Sequence, residues 1–262
     1  VEDGMKVEGL AAVVTGAGSG MGAATARALA AAGARVALLD LNRDAAEAVA
    51  QKIGGLAVAC DVGDGESVAA ALQQAQAAHG TARIAVACAG IAPGARLVGR
   101  DGPHDPALFE KVIRVNLLGT FHLLRLSAAA MAAEEPLPAA ASASGERGLF
   151  VATASVAAYE GQVGQVAYSA SKGGVVGLTL PAARDLAKSG VRVMTVAPGL
   201  IGTPMIEAMP QQVQDSLIAT TLFPQRLGRP EEFAQLVLHI AANEMLNGSV
   251  IRLDGAVRLA PR

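Results

Sequence analysis

Short apolar and β-branched runs recur along this chain, at Leu10–Thr15, Arg35–Leu39, Leu56–Cys60, Ile84–Ala87, Gly148–Thr153, Val191–Val196 and Ser249–Leu253, with longer alanine-rich stretches between them. Near-continuous apolarity, rather than a strict polar/apolar alternation, is what a strand buried on both faces requires. The intervening stretches predict helices at Gly20–Ala32, Asp44–Ile53, Gly65–His79, Pro106–Ala132, Gln165–Lys188, Met209–Thr220 and Pro230–Asn243, several opened by Asp, Ser or Pro and several closed by Gly. Strand and helix in alternation imply an α/β fold over residues 1–262 as one domain. Its seven strands form a parallel, doubly wound sheet with helices on both faces and right-handed crossovers. Pro93–Asp105 and Ala133–Arg147 interrupt the rhythm and read as surface loops, the second a mobile one.

Composition narrows the class. With 262 residues, 52% hydrophobic and 17% charged, the chain can bury a large core, and a net charge of −2 provides no basic excess for nucleic acid. The longest uncharged run, Gly9–Ala26, is too rich in Gly and Ser to span a membrane. The opening residues carry Glu2, Asp3 and Glu8 and no apolar segment, so no signal peptide is expected and residence in the cytoplasm follows. Cys60 and Cys88 sit at strand ends without metal-ligand spacing and read as buried free thiols, and the four histidines form no cluster, so no metal is expected.

The first strand runs into Thr15-Gly16-Ala17-Gly18-Ser19-Gly20-Met21-Gly22 and then straight into a helix. Glycines permit positive φ and close approach of backbone to a pyrophosphate, whose charge then meets the unpaired N–H groups and positive dipole of the helix N-terminus. Such a turn alone is a weak sign, since any tight strand-to-helix connection can use it. Asp40, at the end of the second strand, strengthens the reading: it lies where a carboxylate accepts from the adenosine ribose hydroxyls of a Rossmann-type fold, and it repels a 2′-phosphate. Leu41 follows where a basic residue would have favoured NADP, so NAD is expected, although Arg43 is near. Capping of the second helix is the bland alternative for Asp40. Asp61, followed by Val62 after the third strand, can accept from an adenine amino group or equally cap the next segment.

Tyr168 and Lys172 stand one helical turn apart in Val166-Ala167-Tyr168-Ser169-Ala170-Ser171-Lys172. A phenol with a reference pKa of about 10 is a poor base, but a cation within roughly 4–6 Å draws it down by about 1–3 units. The pair therefore promises a proton acceptor near neutral pH. Ser155 closes the fifth strand, thirteen residues ahead of Tyr168, on the edge of the sheet where ligands bind. Its hydroxyl can orient an alcohol or donate to a carbonyl while Tyr168 moves the proton and a nicotinamide exchanges the hydride.

Together these residues resemble the short-chain dehydrogenases/reductases over nearly the whole chain. The family's glycine motif corresponds to Gly16, Gly20 and Gly22, its active-site serine to Ser155, its Tyr-x-x-x-Lys to Tyr168 and Lys172, and its structural asparagine to Asn116. The resemblance implies that Asn116 distorts its helix to hold a water on a proton path from Lys172, and that Lys172 also binds the nicotinamide ribose. It further implies that Pro198, Ile201 and Thr203 lie by the nicotinamide. One departure is visible: Ala87-Cys88-Ala89-Gly90 replaces the usual Asn-Asn-Ala-Gly, so that Cys88, Ala89 and Gly90 line the cofactor through backbone, without the amides that tie neighbouring strands. The runs Thr153–Gln165, Ala197–Leu200 and Ile251–Ala256 are similar to the type-2 3-hydroxyacyl-CoA dehydrogenases, a subfamily that also takes 2-methyl-branched thioesters and hydroxysteroids. That similarity implies an acyl-CoA substrate touched by Ser155, Gln162 and Gln165, with Ile201–Phe223 as a lid, and a homotetramer built on the helices bearing Asn116 and Tyr168. Gly173, Gly174 and Gly177 would allow close packing there, or equally against the sheet. An NADPH-dependent 3-oxoacyl-carrier-protein reductase, a hydroxysteroid dehydrogenase and a catalytically silent dinucleotide sensor are the alternatives.

Overall fold

The computed structural model describes residues 4–100, 102–207 and 210–261. In chain order the strands are β1 (Ala11–Thr15), β2 (Arg35–Asp40), β3 (Leu56–Ala59), β4 (Ile84–Ala87), β5 (Val98–Gly99), β6 (Gly102–Pro103), β7 (Gly148–Thr153), β8 (Val191–Pro198) and β9 (Val250–Leu253). The helices are α1 (Gly20–Ala31), α2 (Arg43–Ile53), α3 (Gly65–His79), α4 (Pro106–Ile113), α5 (Gly119–Ala133), α6 (Val166–Leu186), α7 (Pro204–Glu207), α8 (Gln211–Ala219) and α9 (Pro230–Ala242). The seven expected strands form one parallel sheet in the order β3-β2-β1-β4-β7-β8-β9.

Both faces of that sheet are buried, which explains the unbroken apolar runs. Successive residues point to opposite sides: Val14, Leu38, Val86, Val151 and Val196 join a core with Leu29 of α1 and Phe233, Val237 and Ile240 of α9. Their neighbours Val13, Leu39, Ala85, Phe150 and Ala197 join another with Val68 of α3, Leu123 and Met131 of α5 and Val175 of α6. Each such large side chain, taken fully out of water, stabilises the fold by about 1.5–3 kcal/mol. Helix starts are fixed by side chains that accept first-turn N–H groups: Asn42 from Ala45, Asp64 from Glu66 and Asp105 from Ala107.

Three local expectations change. The helix over Pro106–Ala132 is interrupted by a π-helical turn at Arg114–Leu118, between α4 and α5. Although Pro106–Ala133 is long and apolar enough to cross a membrane, Leu123, Leu124, Ala128 and Met131 face the sheet. The Pro93–Asp105 loop folds into the antiparallel pair β5 and β6. The loop expected to be mobile is tied down, with Leu137, Ser142 and Glu146 buried, Ser142 donating to Glu244 at 2.7 Å and Glu146 paired with Arg192. The Met209–Thr220 helix is present as α8, Met209 lying outside the described residues.

The chain leaves β1 toward β2 and β3, then returns on its other side with β4, so the connections diverge at the carboxyl ends of β1 and β4 and leave a crevice there. Gly202 donates to Gly228 at 2.8 Å and Gly228 to Leu200 at 2.8 Å, so the lid departs from the carboxyl end of β8 and returns to the same point.

Candidate active site

A cavity of about 540 Å³ fills this crevice and brings together most of the residues that the motifs singled out, with Asn116, Gln162 and Gln165 outside its lining. Gly16, Ser19, Gly20, Met21, Gly22, Asp40, Leu41, Asp61, Val62, Cys88, Ala89, Gly90, Ser155, Tyr168, Lys172, Pro198, Ile201 and Thr203 all line it.

Its first half is built for an anion beside a ribose. Gly16 and Gly20 have φ of +64° and +51°, and a Cβ on Gly16 would lie 2.8 Å from the Ala89 backbone. Ser19, the residue before α1, makes no side-chain cap, and no acidic residue occupies the first turn, leaving N–H groups and dipole to a ligand. Asp40 does not cap α2, because Asn42 does. Its Oδ2 accepts from Gly18 N at 2.8 Å and its Oδ1 from Asn42 N at 2.9 Å, which fixes the carboxylate and leaves each oxygen acceptor capacity. Asp61 likewise does not cap α3: its Oδ1 accepts from Gly63 N at 2.9 Å while Asp64 caps. The missing asparagine amides at β4 are replaced by another tie, Ala89 N donating to the Thr15 hydroxyl at 3.3 Å. The side-chain-free cradle, the open helix terminus and the fixed carboxylate fit a nicotinamide dinucleotide.

The second half carries the titratable groups. Lys172 is buried; its Nζ donates to the Thr153 carbonyl at 2.6 Å and lies 5.9 Å from the centre of the Tyr168 ring. Burial draws its pKa down to about 8. Tyr168 departs from expectation: burial pushes the phenol above its ordinary value, and a hydrogen bond with Ser155 only partly draws it back. The physical reason is burial of the phenol, which outweighs the Ser155 hydrogen bond. Ser155 is further fixed by accepting from Ala157 N at 3.1 Å.

Asn116 sits in the π-helical turn, fully buried. Its amide is consumed by protein: Oδ1 accepts from Ile91 N at 2.8 Å, and Nδ2 donates to Ile91 O at 2.9 Å and to Ser171 Oγ at 3.0 Å. The Thr120 hydroxyl donates to the Asn116 carbonyl at 2.7 Å. Ser171 in turn donates to the Tyr168 carbonyl at 2.7 Å, so the asparagine is pinned to the helical turn that carries the catalytic pair. Thr153, Ile91 and Ser171 were not singled out from sequence. Ser171 lies inside the Tyr168–Lys172 run and could have been found there, whereas Ile91 and Thr153 act through backbone, which no residue type signals.

Gln162 and Gln165 do not line this cavity. They border a neighbouring cleft of about 710 Å³, with Arg96, Leu97, Val98 and Tyr159. Gln162 Nε2 donates to Ala260 O at 3.0 Å and Gln165 Oε1 accepts from Gln162 N at 3.0 Å, so the first ties the loop to a distant stretch of chain and the second closes the loop on itself. Cys60 and Cys88 are free, and burial lifts both thiols to about 11, so neither is a nucleophile near neutral pH. Among the described residues no three His, Cys, Asp or Glu side chains converge as for a metal.

Known proteins are similar to this chain over most of its length. The profile of the short chain dehydrogenases matches residues 10–214. The 3-hydroxyacyl-CoA dehydrogenase type-2 of Homo sapiens is 49% identical over 97% of both chains, and the (3R)-3-hydroxyacyl-CoA dehydrogenase of Homo sapiens is 34% identical over 94% of both. The crystal structure of 3-hydroxyacyl-CoA dehydrogenase type-2 from Mycobacterium avium superposes with a TM-score of 0.91 at 43% identity, covering 97% of this chain and 98% of that one. Likeness of this extent, in sequence and in fold, makes the chain a member of the short-chain dehydrogenase family and an oxidoreductase of the alcohol dehydrogenase type.

Proposed function

We propose that the protein interconverts a 3-hydroxyacyl-CoA, 2-methyl-branched ones included, with the corresponding 3-oxoacyl-CoA, using NAD. The observation that carries the reading is the convergence of Ser155, Tyr168 and Lys172 on the cavity that also holds the glycine turn and Asp40. The dinucleotide supplies hydride exchange; the glycine turn, the α1 terminus and Asp40 would hold its adenosine half, and Lys172, Ile201 and Thr203 its nicotinamide half. Ser155 orients the alcohol oxygen, and the Tyr168 phenolate, stabilised by the Lys172 cation, takes the alcohol proton and becomes a phenol as the hydride leaves the carbon.

NAD over NADP is supported by the Asp40 carboxylate and by Arg43, which is exposed and outside the cavity lining. The relatives' names support the acyl-CoA class. Initial rates with NAD and NADP against 3-hydroxyacyl-CoAs, branched analogues and hydroxysteroids test both parts. NAD-dependent turnover of the thioesters is expected; preference for NADP, or turnover of steroids alone, would overturn the reading.

We further propose a homotetramer. Gly174 packs against Leu117 within the chain, but a Cβ on Gly173 or Gly177 would meet open space, and Leu118, Phe121, Val166 and Leu180 are exposed on the same helices. Sedimentation of the purified protein checks this. The small negative charge and the free thiols support a cytoplasmic protein with neither nucleic acid nor membrane as partner.

A further inference from the structure

The two catalytic hydroxyls are joined by a loop, Tyr159–Gln165, that belongs to no helix or strand. Burial does not hold it: Tyr159 is 49% and Val163 50% exposed. The loop is instead held by polar contacts from one distant stretch. Glu160 takes both terminal nitrogens of Arg252, at 2.9 and 3.3 Å, the Leu259 N–H at 3.2 Å and the Arg258 guanidinium at 3.4 Å. Asp254 binds the same two arginines from the other side, at 2.7 and 3.3 Å. Beyond them, Gln162 Nε2 donates to Ala260 O and Val163 N to Pro261 O, each at 3.0 Å. On its opposite edge, Gly164 O accepts from Ala95 N at 2.8 Å, next to Arg96–Val98 across the 710 Å³ cleft.

We infer that Arg258–Pro261 is a strap that fixes the Tyr159–Gln165 loop and thereby sets the shape of the substrate-side wall, making Glu160 and Arg258 positioning residues for substrate selection. An exposed ion pair by itself would contribute little, but Glu160 joins two guanidiniums and a backbone N–H in one network, and two backbone carbonyls of the strap extend it along the loop. Nothing in the strap lines the dinucleotide cavity, so its influence falls on the alcohol and not on the cofactor. The inference rests on the proposed alcohol-oxidising function, but its physical part can be read without turnover.

The test uses the full chain, a Glu160→Gln variant, an Arg258→Lys variant and a chain ending after Val257. Hydrogen exchange of amides 159–165 should rise about tenfold in the Glu160→Gln and shortened proteins and stay near wild type in Arg258→Lys. NADH affinity should hold within about twofold in all, while in Glu160→Gln and the shortened chain KM for 3-hydroxyacyl-CoAs rises about tenfold with little change in kcat and preference among acyl chains flattens, Arg258→Lys keeping the wild-type KM. Unchanged loop exchange, or NADH affinity falling in step with KM, would overturn the strap. If the shortened chain fails to fold, Glu160→Gln decides the matter alone. Absence of wild-type turnover with any 3-hydroxyacyl-CoA would remove the substrate assignment, while the exchange and NADH results still judge the strap.

Discussion

Lys172 and Arg192 are both buried cations, 4% and 6% exposed, and they stand at opposite ends of the same two strands. Arg192, at the amino end of β8, is saturated. It forms a bidentate pair with Glu146 and donates to the carbonyls of Ile240, Ala241, Asn243 and Leu246, closing the negative end of α9. Lys172, at the carboxyl end of β7, has the Thr153 carbonyl as its acceptor and no carboxylate among the described residues. An ammonium has three protons to donate. The difference separates structure from chemistry: a satisfied buried charge locks two elements together, whereas one with spare donors and a pKa drawn to about 8 is poised for a ligand.

The contrast can be broken from either end. Lys172→Met should lower kcat by about 10²–10⁴-fold, because the phenolate loses its cation, as steady-state rates would register. Arg192→Met should leave Glu146 buried and unpaired and cost about 3–5 kcal/mol of stability, read by urea unfolding at neutral pH. Burial already holds Glu146 above the usual carboxylate range, which Arg192 counters. Loss of activity in this variant should follow loss of fold.

A pH series sharpens the comparison. A lysine whose folded pKa is lowered has released a proton that the unfolded chain still binds, so its burial penalty is fully present below pH about 8 and is relieved as pH rises toward the unfolded value of 10.5. The span corresponds to about 3 kcal/mol. The two thiols, lifted to about 11 from 9.0, act in the opposite sense, because the folded protein retains protons there. The difference in unfolding free energy between wild type and Lys172→Met cancels them: the variant should be more stable below pH 8, with the gap closing as pH rises. A smaller effect is expected at Asp40, where Asp40→Asn should narrow the preference for NAD over NADP by about tenfold, equal to about 1.4 kcal/mol, in paired initial rates.

The sheet was legible because its inner strands are buried on both faces and announce themselves as apolar runs; five of the helices were legible from caps that the structure also uses or from closing glycines. The π-helical turn at Asn116 was not, since no side chain in Arg114–Leu118 differs from what an ordinary helix tolerates; only the resemblance suggested a distortion there. The chemistry was legible as a set of residues but not as proton affinities. The shift of Tyr168 depends on burial and on Ser155, brought together by folding. Gln162 and Gln165 fall on the neighbouring cleft and not on the dinucleotide cavity, and the partner of the Gln162 side chain, Ala260, is 98 residues away, so sequence spacing gave no sign of it. The Arg192–Glu146 pair gave no signal, its members being 46 residues apart on different segments.

Proton transfer by the Tyr168 phenol is the claim on which the account stands, and single-turnover hydride transfer tests it most directly. Wild type and Tyr168→Phe, both saturated with NAD, would be mixed with a 3-hydroxyacyl-CoA across neutral to alkaline pH. In wild type the transfer rate should climb with pH as the phenol ionises, and Tyr168→Phe should fall by about 10²–10⁴-fold and lose that climb while binding NADH normally. Transfer at the wild-type rate in Tyr168→Phe, with the same pH dependence, would contradict the account.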